Sequence, residues 1–116
     1  MRESGILMPV SSLPGPYGIG CFGKAAFQFV DFLSAAGQKI WQLLPLSPTG
    51  YGDSPYQSCS AFAGNPYFVD LETLEKEGLL TAADLKAESW GKDPLEVDYG
   101  TLYVSRFAVL RKAYAA

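Results

Sequence analysis

The sequence predicts an α/β chain that opens with a strand–helix–strand unit and leaves its sheet incomplete. Three observations carry that expectation. Two short apolar runs, residues 5–10 and 39–46, flank an amphipathic stretch, and a helical pattern is still running at the carboxyl end. With 48% hydrophobic and only 18% charged residues, the 116-residue chain has the material for a core.

Residues 5–10 are closed by turn formers, Ser11 and Ser12 and then Pro14-Gly15-Pro16. They read as a buried strand followed by an irregular loop over 11–20. Residues 23–36 read as a helix. Phe22, Ala26, Phe29, Leu33 and Ala36 recur at spacings of 4, 3, 4 and 3, Val30 and Phe32 widen the stripe, and Gly37 supplies the stop. The second strand is predicted over 39–46, ended by Pro45 and Pro48. Short connections around one helix make the two strands parallel with a right-handed crossover.

Past Pro48 the regularity ends. The stretch 47–67 is too long for a plain connector and too aromatic for a disordered one. An extended piece is expected over 68–71, then a short helix over 71–77 stopped by Gly78. Thr81 and Asp84 resemble a capping box that starts another short helix. Residues 90–94 form a turn. The last helix runs from Asp98 to the end, with Tyr103, Phe107, Leu110 and Tyr114 as its apolar stripe and Arg111 and Lys112 suiting the dipole of its last turn. Two strands alone do not make a stable parallel sheet, which needs both faces covered. The chain therefore reads as the opening of a larger α/β domain.

Composition narrows the chemistry. Nine basic against 12 acidic residues give a net charge of -3, which speaks against a nucleic-acid partner. The absence of histidine excludes a Ser-His-Asp triad, a Cys-His dyad and any His-bearing zinc site within this chain. Cys21 and Cys59 are too few for a disulfide scaffold. The first residues do not form a signal-peptide pattern, and no apolar run approaches the roughly 20 residues of a membrane span. A cytoplasmic protein with free thiols and no membrane partner is the expectation.

Two motif matches carry little. Gly18, Gly20 and Gly23 match the G-x-G-x-x-G pattern between strand and helix. A dinucleotide site would want a tight turn and an acidic residue ending the second strand. Here a proline-rich loop intervenes and the strand ends Leu-Pro-Leu-Ser, so the glycines read as turn and helix-entry residues. Ser89-Trp-Gly-Lys92 matches S-x-x-K without the further motifs that chemistry needs.

The loop after the second strand is the candidate site. Tyr51, Tyr56, Phe62 and Tyr67 crowd it, and aromatic faces are the usual platform for sugar rings. Ser54, Gln57 and Asn65 can partner ring hydroxyls. The alternative is that aromatics pin the loop to the body of the protein, and for Phe62 that reading is the stronger. Asp53 between Gly52 and Ser54 admits two roles, a substrate-hydroxyl contact or a hydrogen bond that orders the loop.

In this loop the sequence becomes recognisable. Ser12-Leu-Pro-Gly-Pro-Tyr-Gly-Ile-Gly20, Trp41-Gln-Leu-Leu-Pro-Leu46, Pro48-Thr-Gly-Tyr-Gly-Asp-Ser-Pro-Tyr-Gln57, Ser60-Ala-Phe-Ala-Gly-Asn-Pro-Tyr-Phe-Val-Asp-Leu71 and Val97-Asp-Tyr-Gly-Thr-Leu-Tyr103 follow one another in register. Together they resemble the amino-terminal part of the 4-α-glucanotransferases (amylomaltase or disproportionating enzyme), glycoside hydrolase family 77. The resemblance implies a TIM (β/α)₈ barrel, which takes about 250 residues or more. This chain would supply strand one, helix one, strand two and a loop-rich insertion over 47–97, incomplete on its own.

The resemblance further implies transfer of α-1,4-glucan segments between maltodextrins by a retaining double displacement, without metal or organic cofactor. The three catalytic carboxylates of the family match none of the acids here, so no catalytic residue is expected within this chain. Substrate binding carries over. Tyr56 matches the tyrosine that stacks beside the scissile bond, and Asp53, Ser54 and Gln57 match the rest of its loop. Tyr51 and Tyr103 match a second glucan groove found in some members, although Tyr103 also fits the apolar stripe of the last helix. The alternative reading is a non-catalytic α-glucan-binding or interaction module derived from that barrel.

Overall fold

A computed structural model describes residues 1–50, 52–60 and 62–116. Strand β1 (Gly5–Leu7) leads through a 3₁₀ turn (Val10–Ser12) to helix α1 (Lys24–Ala35), and strand β2 (Ile40–Gln42) follows. The strands pair in parallel, with Gly5 opposite Ile40, Ile6 opposite Trp41 and Leu7 opposite Gln42. This is the expected unit, with shorter strands. Met8 still donates to the Gln42 carbonyl at 3.1 Å, but Pro9 has no N–H with which to carry the ladder on.

Neither strand is buried as expected. Ile6, Leu7 and Ile40 are exposed, because among the described residues no third strand or helix lies over them. Helix α1 is likewise only half covered. Ala26 and Leu33 are buried, and Phe29 packs edge-on against Trp41 with ring centroids 5.0 Å apart. Phe22, Val30 and Phe32 of the wider stripe face outward, as does Phe27 outside it.

Residues 43–65 carry no helix or strand among the described residues. The extended piece expected over 68–71 begins instead as a 3₁₀ turn (Pro66–Phe68), set by Pro66 and by the Asn65 side chain, which accepts from the Tyr67 amide at 2.9 Å. Helix α2 (Leu71–Lys76) is capped by Asp70, which accepts from the Thr73 amide and hydroxyl at 3.2 and 2.6 Å, and Gly78 stops it in the left-handed region. Helix α3 (Ala82–Lys86) opens with the expected capping box: the Thr81 hydroxyl accepts from the Asp84 amide, and the Asp84 carboxylate accepts from the Thr81 amide. Helix α4 (Tyr99–Ala115) is capped by Asp98.

The buried face of α4 differs from the expected one. Leu102, Arg106, Val109 and Ala113 point inward, whereas Tyr103 is 68% and Tyr114 93% exposed. The period of the stripe is right and its phase is off by one residue. Leu71 and Leu80 with Leu85 of α3 close over Val109 and Ala113 to make one core cluster. Ile19, Tyr67 and Leu102 make a second, and Val10, Leu13 and Ala26 a third beneath the sheet.

The glycine pattern is a packing device. A Cβ on Gly20 would lie 1.9 Å from the Val10 carbonyl oxygen. Gly18 has φ +79°, and a Cβ there would lie 2.3 Å from the Trp90 carbonyl oxygen. Backbone approaches of this kind leave no room for a side chain. Among the described residues no helix is long and apolar enough to cross a membrane.

Candidate functional site

The loop after β2 and the first turns of α4 enclose an open cavity of about 780 Å³. Its aromatic wall is built from helical spacing. Tyr99, Tyr103 and Phe107 are each four positions apart, so α4 presents them on one side. Tyr67 meets this wall from the 3₁₀ turn, its ring 6.0 Å from Tyr99 and 5.6 Å from Phe107, and Tyr103 lies 5.5 Å from Phe107. The result is a continuous aromatic surface with phenol groups along it.

Polar groups come from the loop. Asn65 is buried, and its amide donates to the Leu46 carbonyl at 2.8 Å, fastening the loop to the end of the β2 segment. Asp53 stands in the left-handed region at φ +58°, and its amide donates to the Gly50 carbonyl at 3.1 Å. A non-glycine residue in that conformation needs local hydrogen bonds to hold it there, and aspartate is among the side chains that tolerate it best. A smaller cavity of about 110 Å³ lies alongside, reaching Pro9, Ser11 and Leu44, and Asp53, Asn65, Thr49 and Tyr99 border both spaces. The Thr49 hydroxyl has no hydrogen-bond partner among the described residues.

Two of the phenols, Tyr67 and Tyr99, ionise less readily than an ordinary tyrosine. Burial, followed by the Asp53 charge, pushes Tyr67 above the ordinary tyrosine value. Burial also raises Tyr99, against a hydrogen bond from Ser11 that stabilises its phenolate, and Asp53 adds to the rise. A neutral phenol both donates and accepts, which suits hydroxyl-rich ligands better than anions. Among the described residues no three of His, Cys, Asp and Glu gather as a metal-holding group.

The six residues marked by the sequence are dispersed. Asp53 and Tyr103 share the larger cavity. Ser54 turns back into its own loop, its hydroxyl accepting from the Tyr56 amide at 3.3 Å and its carbonyl from the Gln57 amide at 3.2 Å. Tyr56 is 72% exposed, and Gln57 is exposed beside it. Tyr51 lies outside the described residues. Phe62 is fully exposed and pins nothing. Tyr99 and Phe107 were not marked by the loop's composition, and the four-residue spacing through Tyr103 was the signal that could have found them.

An α/β chain with a parallel strand pair and a tyrosine-lined cavity at the strand's end is thus defined. The profile of glycoside hydrolase family 77, 4-alpha-glucanotransferase, matches residues 8–116, and the chain belongs to that family. It is 57% identical over 112 residues to a 4-alpha-glucanotransferase of Streptococcus pneumoniae, covering 97% of this chain and 22% of the relative. With the enzyme of Thermus thermophilus it shares 50% over 113 residues, again 97% of this chain and 22% of the relative. The solved structure of amylomaltase from Streptococcus agalactiae in complex with acarbose superposes with a TM-score of 0.94 at 50% identity, covering 99% of this chain and 23% of that one. The chain spans about a fifth of the length of these relatives.

Proposed function

We propose that this chain is the amino-terminal portion of the catalytic barrel of a cytoplasmic 4-α-glucanotransferase, with residues 47–97 as the loop-rich insertion after strand two. The activity is transfer of α-1,4-glucan segments between maltodextrins by a retaining double displacement. The observation that carries the reading is the superposition, at 50% identity, on an amylomaltase solved with acarbose. The uncovered apolar faces support the barrel: Leu7, Phe27, Phe32 and Ile40 are exposed on β1, α1 and β2, where neighbouring strands and helices of a barrel would pack. The radius of gyration of 15.2 Å also exceeds the roughly 13 Å of a compact domain of this length.

In this reading the chain binds substrate and supplies no catalytic carboxylate, metal or cofactor. The exposed ring of Tyr56 stacks on the sugar beside the scissile bond, with Asp53, Ser54 and Gln57 shaping its loop. Tyr103, which borders the cavity described above, and Tyr51 match positions of a second glucan groove in the family. A stacking platform beside the reacting sugar acts on transition-state binding. Tyr56→Ala in the complete natural polypeptide that contains these residues should therefore lower kcat/KM for maltodextrin transfer severely while leaving the melting temperature unchanged. An unaltered kcat/KM would overturn the role.

A further inference from the structure

Among the described residues Arg106 is the largest fully buried side chain, with 0% exposure. It belongs to the inward face of α4, next to Phe107 of the cavity wall. One of its terminal nitrogens donates to the Val69 carbonyl, two residues past Tyr67. This bond fastens α4 to the segment that carries Tyr67, whose ring packs against the aromatic side chains of the helix. Among the described residues the other two guanidinium nitrogens have no hydrogen-bond partner, and no carboxylate forms a salt bridge with the cation. Asp70 is engaged elsewhere, accepting from Thr73 and, at 3.7 Å, from the Cys21 thiol.

Such a group is a poor choice for stability. Burial holds the guanidinium below its ordinary value, the attraction of Asp70 offsets this only in part, and an apolar side chain of similar volume would fill the space without that cost. An apolar side chain could not hold the Val69 carbonyl, and with it the Tyr67 ring 5.6 Å from Phe107. We infer that Arg106 is a positioning residue that fixes how Tyr67 packs on the aromatic face of α4, and through it the fit of a maltodextrin chain on the tyrosine-lined surface. The inference rests on the glucan reading above.

The test compares Arg106→Lys and Arg106→Leu with wild type in the complete polypeptide, so that one folded variant suffices. Transfer is measured with maltotriose and with a long maltodextrin donor that extends to the cavity. The ratio of kcat/KM, long over short, should fall about fivefold, the size of coupling expected between linked side chains. In a Tyr103→Ala background the same substitution should leave the ratio unmoved, because the wall it positions is already broken. A merely structural arginine would lower both donors equally, and equal loss or no loss overturns the positioning role. Wild-type protein that transfers no glucan overturns the functional reading itself, which separates the two failures.

Discussion

The indole N–H of Trp41 donates to the carbonyl oxygen of Met8 at 2.9 Å, one residue beyond the last paired position of β1. The Met8 amide is itself bonded to Gln42, so a side chain finishes the ladder that Pro9 interrupts. Trp41→Phe keeps a ring for Phe29 and leaves the Met8 carbonyl without its donor. The expected cost is about 1 kcal/mol, read as a lower urea midpoint at unchanged slope. A wild-type midpoint would show that water replaces the indole at no cost.

Gly20→Ala sets a methyl group against the Val10 carbonyl oxygen, which only a backbone shift can relieve. The expected loss is about 3 kcal/mol. Gly64→Ala, with nothing within 4 Å, is the matched control and should stay near wild type. Comparable melting temperatures for the two variants would contradict the close approach.

Two helix caps give the stability an acid limb. Asp84 is held below the ordinary aspartate value first by the Thr81 amide, and Asp98 by the Thr101 hydroxyl. A carboxylate depressed in the folded state contributes fully above its unfolded value, and that contribution disappears as pH falls through the folded one. Protection of the first-turn amides of α3 and α4 against hydrogen exchange should therefore decline as pH drops through and below the ordinary aspartate range. Asp98→Asn, which caps without titrating, should flatten the α4 part of that decline. An unchanged acid limb in that variant would assign it to other groups.

The two thiols should react unequally. Burial, and then the charge of Asp70, pushes Cys21 up to about 11, whereas Cys59 is exposed. Thiolate is the attacking species, so iodoacetamide at mildly alkaline pH should label Cys59 first and reach Cys21 only on unfolding. Equal labelling rates by mass spectrometry would mean that the Cys21 region opens readily.

The parallel strand pair, α1, the Thr81 capping box and the Gly78 stop were legible in the sequence because each rests on local spacing and turn chemistry. The phase of α4 was not. Tyr103 and Tyr114 look more like core than Arg106 does, and only the Val69 carbonyl, 37 positions upstream, explains why an arginine goes inside. The site was legible in part for the same reason. Asp53, Asn65 and Tyr67 stood out by residue type and Tyr103 by the family resemblance, but the meeting of Tyr67 with Tyr99 and Phe107 depends on where α4 docks.

The register that sets Gly5 against Ile40 places the whole of α1 inside the closed loop. Closing such a loop from a free chain carries an entropy cost that grows with the logarithm of its length. Coiling the 12 residues of α1 shortens them to about 18 Å and removes most of that slack. Helices form in well under a microsecond to about a microsecond, faster than non-local strands find each other. A wound α1 thus lowers the entropy that β1 and β2 must lose to pair, and substitutions that stabilise the helix should speed that pairing.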